Sequence, residues 1–176
     1  NSPLDPDLRL RLIDILRGMG RREDALEQAR ELVQSTNWGD GAGGAVVQER
    51  PFREALGQIW LLGGRAGCPD VARKGIERLL GSLSPKDSVV WWLRLAILEF
   101  DRGAVAQANV PIALATQEIR TGPYAHLLAD LLAELREASA GRRRKTGDVV
   151  ADLLKHYERV ASRGEFLRRE KERKRR

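Results

Sequence analysis

Gly20-RRED-Ala25, Gly67-CPDV-Ala72 and Gly103-AVAQ-Ala108 are three copies of one short pattern: a glycine, four residues, then an alanine. Four residues past the alanines stand Ala29, Ile76 and Ile112, and three further on stand Leu32, Leu79 and Ala115. Offsets of four and three keep side chains on one side of a helix, so each alanine opens an apolar helical face. The glycine permits the tight reversal that ends the preceding helix. Helix, glycine turn and helix, used repeatedly, predicts an all-α chain of antiparallel helix pairs stacked as an α-solenoid. That architecture points to binding rather than catalysis.

The spacing tests the repeat. Gly67 to Gly103 is 36 residues, close to the ~34 of a tetratricopeptide unit. Gly20 to Gly67 is 47, longer by 11, and residues 37–48 account for the surplus. That stretch holds Gly39, Gly41, Gly43 and Gly44 and cannot continue a helix. It is expected to be a loop insertion. Trp38 within it has little core to join, so it is expected to anchor the loop or a partner.

The second-helix positions resemble those of tetratricopeptide repeats: a turn glycine, a small residue five later, apolar residues nine and twelve later. Trp92, Leu95 and Ala96 stand where that family places its first-helix Trp, Leu and small residue, relative to Gly103. The chain also departs from the pattern. Arg9 and Ile13 occupy the Trp and small positions of the first unit, Leu56 and Trp60 those of the second, and Pro111 interrupts the third unit. The resemblance spans about residues 6–122. It implies one TPR-like domain over 1–162, with units at about 6–36, 51–84, 87–121 and 123–162, the last a capping pair. Residues 163–176 follow as a basic tail. One subgroup of the family grips chaperone C-termini with Lys, Asn and Arg. Those positions read Leu10, Asp14, Leu93 and Ile97 here, so that mode is not expected.

Local signals set the expected helices. Asp5-Pro6 is a cap followed by a first-turn proline, with Leu8, Leu12, Ile13 and Leu16 behind it. Further helices are expected over 23–34, from Pro51 or Phe52 onward, over 69–80 and over 87–100. Pro111 is placed in the first turn of a helix over 109–119 capped by Asn109, because an interior proline costs about 3 kcal/mol. Residues 121–123 break the chain. Helices over 123–138 and 148–161 close it, and the outer charges Lys155, Glu158 and Arg159 suit an end cap. No stretch alternates with period two, so no sheet is expected.

Composition bounds the rest. The chain has 176 residues, 42% hydrophobic and 32% charged, well outside the disordered class. No apolar run approaches the ~20 residues that span a bilayer. The chain opens at Asn1 rather than Met and is expected to be a processed or truncated piece. One cysteine, Cys68, excludes an internal disulfide and fits a reducing, intracellular compartment, the cytoplasm or an organelle matrix or stroma. Charge is uneven: residues 1–140 carry 17 basic and 19 acidic side chains, net −2, while 141–176 carry 14 and 6, net +8. The basic patch is Arg142, Arg143, Arg144, Lys145, Arg168, Arg169, Lys171, Arg173, Lys174, Arg175 and Arg176. It suits an arm for RNA, an anionic membrane face or an acidic protein, or equally a solvated helix end.

No catalytic, metal or cofactor site is expected. Residues 39–44 satisfy G-x-G-x-x-G but lack the flanking strand that a dinucleotide site needs. His126, His156 and Cys68 have no second ligand at metal spacing. The expected function is a scaffold or assembly factor that holds a partner protein or peptide on first-helix residues, namely Arg9, Asp14, Arg53, Gln58, Trp91 and Arg94. Trp92 is read as packing and Trp91 as the hot-spot candidate. An RNA-associated helical-repeat protein, organellar or ribosome-bound, and a membrane-peripheral assembly factor are the alternatives, both resting on the basic segment. Self-association through an uncapped end is also open.

Overall fold

In the computed structural model, Asp5 accepts the amide hydrogen of Asp7 at 2.8 Å, and helix α1 runs over Pro6–Gly18. The structure describes residues 5–35, 45–63, 69–142 and 144–174. Gly67, Cys68, Trp38 and the glycine-rich pattern at 39–44 lie outside them. Among the described residues the chain is all-helical, with no strand. After α1 come α2 (Arg22–Ser35), α3 (Ala45–Gly63), α4 (Pro69–Leu80), α5 (Pro85–Asp101), α6 (Val105–Thr121), a 3-10 turn at Ala125–Leu127, α7 (Ala129–Ser139) and α8 (Thr146–Lys174).

The turn glycines behave as their role requires. Gly20 and Gly103 have φ of 74° and 77°. At the first, the Gly20 amide donates to the Arg17 carbonyl and Arg21 to Leu16. At the second, Gly103 donates to Phe100 and Ala104 to Glu99. This paired closure satisfies carbonyls that a helix end would otherwise leave open. A third such turn, at Gly141 (φ 75°), joins α7 to α8. Every position at the three repeated offsets is buried: Ala25, Ala29, Leu32, Ala72, Ile76, Leu79, Ala108, Ile112 and Ala115. Counted from Gly141, the same offsets fall on Thr146, Val150 and Leu153, and the last two are fully buried.

The chain forms two compact units, Asn1–Ser82 and Leu83–Arg176. In the first unit α1 packs on α2, α2 on α3, and α3 on α4, with further contact of α1 with α3 and of α2 with α4. Its core is Ile13, Leu16, Phe52, Leu56, Ile59 and the second-helix stripes. In the second unit α5 packs on both α6 and α8, and α7 packs on α8. Leu93, Ile97, Ile119, Leu128, Val149 and Leu153 fill that core.

Both interior prolines depart from expectation. α3 begins at Ala45, inside the expected insertion, and runs through Pro51; α6 begins at Val105 and runs through a buried Pro111. Each proline is the seventh residue of its helix. Asn109 is therefore an exposed interior residue and not a cap; Ala104 occupies the cap position, without a side-chain bond. A proline costs the helix about 3 kcal/mol, whereas each fully buried Leu or Ile contributes about 1.5–3 kcal/mol. Ala108, Ile112, Ala115 and Ile119 straddle Pro111, and Phe52, Leu56, Ile59 and Leu62 lie beyond Pro51, so burial outweighs the missing bond. The expected helix over 123–138 is split into the 3-10 turn and α7. α8 runs on to Lys174, so residues 163–174 are helical.

Candidate functional site

Arg94 was expected to face a partner. Its side chain is only 12% exposed and ion-pairs with Glu158 of α8 at 2.9 Å. Its guanidinium lies over the Trp91 ring, 4.6 Å from the centroid. Burial pulls the Arg94 pKa below its ordinary value, and the nearby Glu158 carboxylate acts against that pull. Trp91 is buried at 6% exposure while Trp92 is half-buried, the reverse of the expected division. α8 packs against α5 and holds Arg94 through Glu158, so Arg94 serves an internal joint, with the buried Trp91 ring against its guanidinium.

The first-unit candidates divide differently. Arg9, 13% exposed, pairs with Glu31 of α2 at 3.2 Å and also serves an internal contact. Asp14 and Gln58 are brought together: Arg17 donates to Gln58 Oε1 at 3.1 Å and pairs with Asp14 at 3.4 Å, while Gln58 Nε2 donates to Asp14 at 3.5 Å. This cluster fastens α1 to α3 at an exposed joint. Arg53 is exposed on α3. In the basic patch, Arg144 clasps Glu134 of α7 at 3.1 Å and Asp152 of α8 at 2.8 Å, and these bonds raise its pKa. Arg142, Lys145, Lys171, Arg173 and Lys174 are exposed. Arg143, Arg175, Arg176 and the side chain of Arg169 lie outside the described residues.

The built cavity lies elsewhere in the second unit. Tyr124, just past α6, and Tyr157 of α8 meet edge to face, with ring centroids 6.1 Å apart and planes at 82°. Both rings line two hollows. A slot of about 260 Å³ is walled by Val89, Ile119 and Pro123, with Glu118 at its side. A wider cleft of about 410 Å³ is lined by Asp87, Ala161, Gly164, Glu165 and Arg168. Lys86 lines both hollows. Gly164 makes the arrangement possible, because a Cβ there would run into the Tyr124 hydroxyl. Burial, then the neighbouring Tyr124, Asp87 and Glu118, push the Tyr157 phenol up, so it stays a neutral hydrogen-bond donor. These two are the only tyrosines of the chain. Neither was among the residues expected from the sequence; the isolated Gly164 inside a helical stretch was the one local signal.

A second hollow of about 290 Å³ sits in the first unit, lined by Val33, Phe52, Asp70, Lys74, Gly75 and Arg78 among others. The outer face of α6 exposes Val110 (64%) and Leu114 (40%), within the charge-free stretch 105–117. No group of three or more His, Cys, Asp or Glu side chains that could hold a metal is present among the described residues. No helix among them is long and apolar enough to cross a membrane. No family model, curated protein or solved structure matches this chain.

Proposed function

We propose that this chain is a non-enzymatic helical-repeat scaffold of TPR-like pairs, which holds a partner protein or peptide on its surface during assembly of a larger complex. The observation that carries the reading is the recurring register. A turn glycine is followed five, nine and twelve residues later by buried positions, and the two described turn glycines of the original pattern share one left-handed closure. Repeated helix pairs that contact only their neighbours leave long exposed faces, and such faces serve recognition. The uncharged outer face of α6 and the tyrosine cleft are the surfaces offered, in place of Trp91 and Arg94.

RNA association is the second reading, favoured by one observation: α8 carries exposed Lys171, Arg173 and Lys174 along a continuous helix. Affinity capture from source cells separates the two. The intact chain is compared with one in which residues 171 and 173–176 are changed to Gln, each with and without nuclease. The same protein partner, recovered in all four arms, is the expected result. Loss of partners on nuclease treatment or on neutralisation of the charges refutes the scaffold reading and favours RNA.

A further inference from the structure

The tyrosine cleft gathers several polar groups without protein partners. Among the described residues, neither tyrosine hydroxyl, nor Lys86, nor Arg168 has a hydrogen-bond or ion-pair partner, although all four line the wider hollow. Its acids are not equally available. Asp87 accepts the Ser84 hydroxyl at 2.7 Å, and Glu165 is engaged in a further interaction. Four donors, two of them cationic, thus face one space of about 410 Å³. Beside it, the slot of about 260 Å³ has the apolar walls Val89, Ile119 and Pro123. At the slot the Glu118 carbonyl accepts the Thr121 hydroxyl, while its carboxylate has no partner among the described residues and can accept an N–H.

We infer that this cleft binds an acidic–apolar peptide segment: a carboxylate on Lys86, Arg168 and the tyrosine hydroxyls, the adjacent apolar side chain in the slot, and a backbone amide on Glu118. The inference rests on the scaffold reading and names the chemistry of its partner. Charge complementarity selects this occupant. Residues 141–176 carry a net +8, so an acidic segment is drawn to this end of the chain. A free inorganic anion would leave the apolar slot and Glu118 unused. A basic peptide would meet Lys86 and Arg168, with Asp87 and Glu165 already engaged and only the Glu118 carboxylate open to pair with it.

The test is fluorescence anisotropy on the full chain with a dye-labelled, end-capped ten-residue peptide alternating aspartate and leucine. Matched peptides carry asparagine or lysine in place of aspartate. The aspartate peptide should bind about ten-fold tighter than the asparagine one, the worth of one charge-assisted contact. Lys86→Gln with Arg168→Gln should remove about that ten-fold preference, since both charges are lost. Tyr157→Phe should weaken binding several-fold. Changing Lys171, Arg173 and Lys174 to Gln should leave the preference intact. Lys86 and Arg168 are exposed, so their substitution leaves the core packing in place, and circular dichroism verifies the fold. Equal binding of the aspartate and asparagine peptides overturns the assignment. So does loss in the 171, 173 and 174 variant with none in the Lys86/Arg168 variant, which would mean diffuse attraction to the helix end. If the aspartate peptide fails while affinity capture still recovers a nuclease-resistant partner, this cleft assignment is wrong and the scaffold reading stands.

Discussion

Gly75→Ala and Gly57→Ala should move stability in opposite directions, although both exchange a helical glycine for the best helix former. Gly57 lies within α3 and Gly75 within α4, both in the first unit, so one unfolding transition reports both. Removing the backbone freedom of glycine in a helix interior stabilises by roughly 0.5–1 kcal/mol. At Gly57 a new methyl meets nothing within 4 Å, and that gain should appear undiminished. At Gly75 the methyl lies 2.6 Å from Leu56 Cδ2 and 3.3 Å from Val33 Cγ1, inside contact distance. Leu56 and Val33 are themselves buried at 2% and 6%, so neither can swing into solvent. Overpacking of this kind costs about 1–3 kcal/mol. Set against the helix gain, Gly75→Ala should destabilise by about 1 kcal/mol, a fall in Tm of about 5 °C for a unit of this size. Thermal and urea unfolding followed by circular dichroism measure both variants. Leu56→Val removes the obstructing atom, so in that background Gly75→Ala should become stabilising, a coupling that a double-mutant cycle isolates. An equal rise in Tm for Gly57→Ala and Gly75→Ala would refute the packing of α4 on α3.

The joint between α5 and α8 should be asymmetric: Glu158→Ala should cost about 2 kcal/mol and Arg94→Met about 1, because the first leaves the more buried charge behind while Met keeps the stem against Trp91. Urea midpoints in the reverse order would contradict the burial of Arg94. Tyrosinate absorbance should show Tyr157 ionising above the ordinary value of 10, with that step absent in Tyr157→Phe. Because folding raises this pKa, the neutral phenol's contribution is present below pH 10 and lost as pH climbs through the folded value. Wild type should accordingly lose more stability over that interval than Tyr157→Phe does.

The features legible in the sequence were those that a few neighbouring residues decide. Gly20 and Gly103 announce left-handed turns, and Ala25, Ala29 and Leu32 announce the apolar face of the next helix, because φ preference and helical period are local constraints. Trp91 and Trp92 were not separable in the same way. They point about 100° apart, and the one that is buried is the one beside Arg94, whose ionic partner Glu158 stands 64 residues later on α8. Pro51 and Pro111 read locally as helix starts, yet apolar residues buried beyond them carry the helices through. The tyrosine cleft was invisible for a related reason, since it is assembled from the start of α5, the end of α6 and the later turns of α8.

α8 continues past residue 162, and that bears on how the basic end can be tested. A shift to charged composition looks like the end of a domain, but charge alone does not stop a helix. Arg, Lys and Glu, which fill residues 168–174, are themselves good helix formers. α8 therefore continues, and it delivers Gly164 and Arg168 to the cleft after Val149, Val150 and Leu153 have anchored its first turns in the core. Truncation at 163 would remove the cleft wall along with the basic end and leave their roles confounded. Substitution at 171 and 173–176 keeps the wall and removes the charge, so only that variant can separate what the helix end attracts from what the cleft recognises.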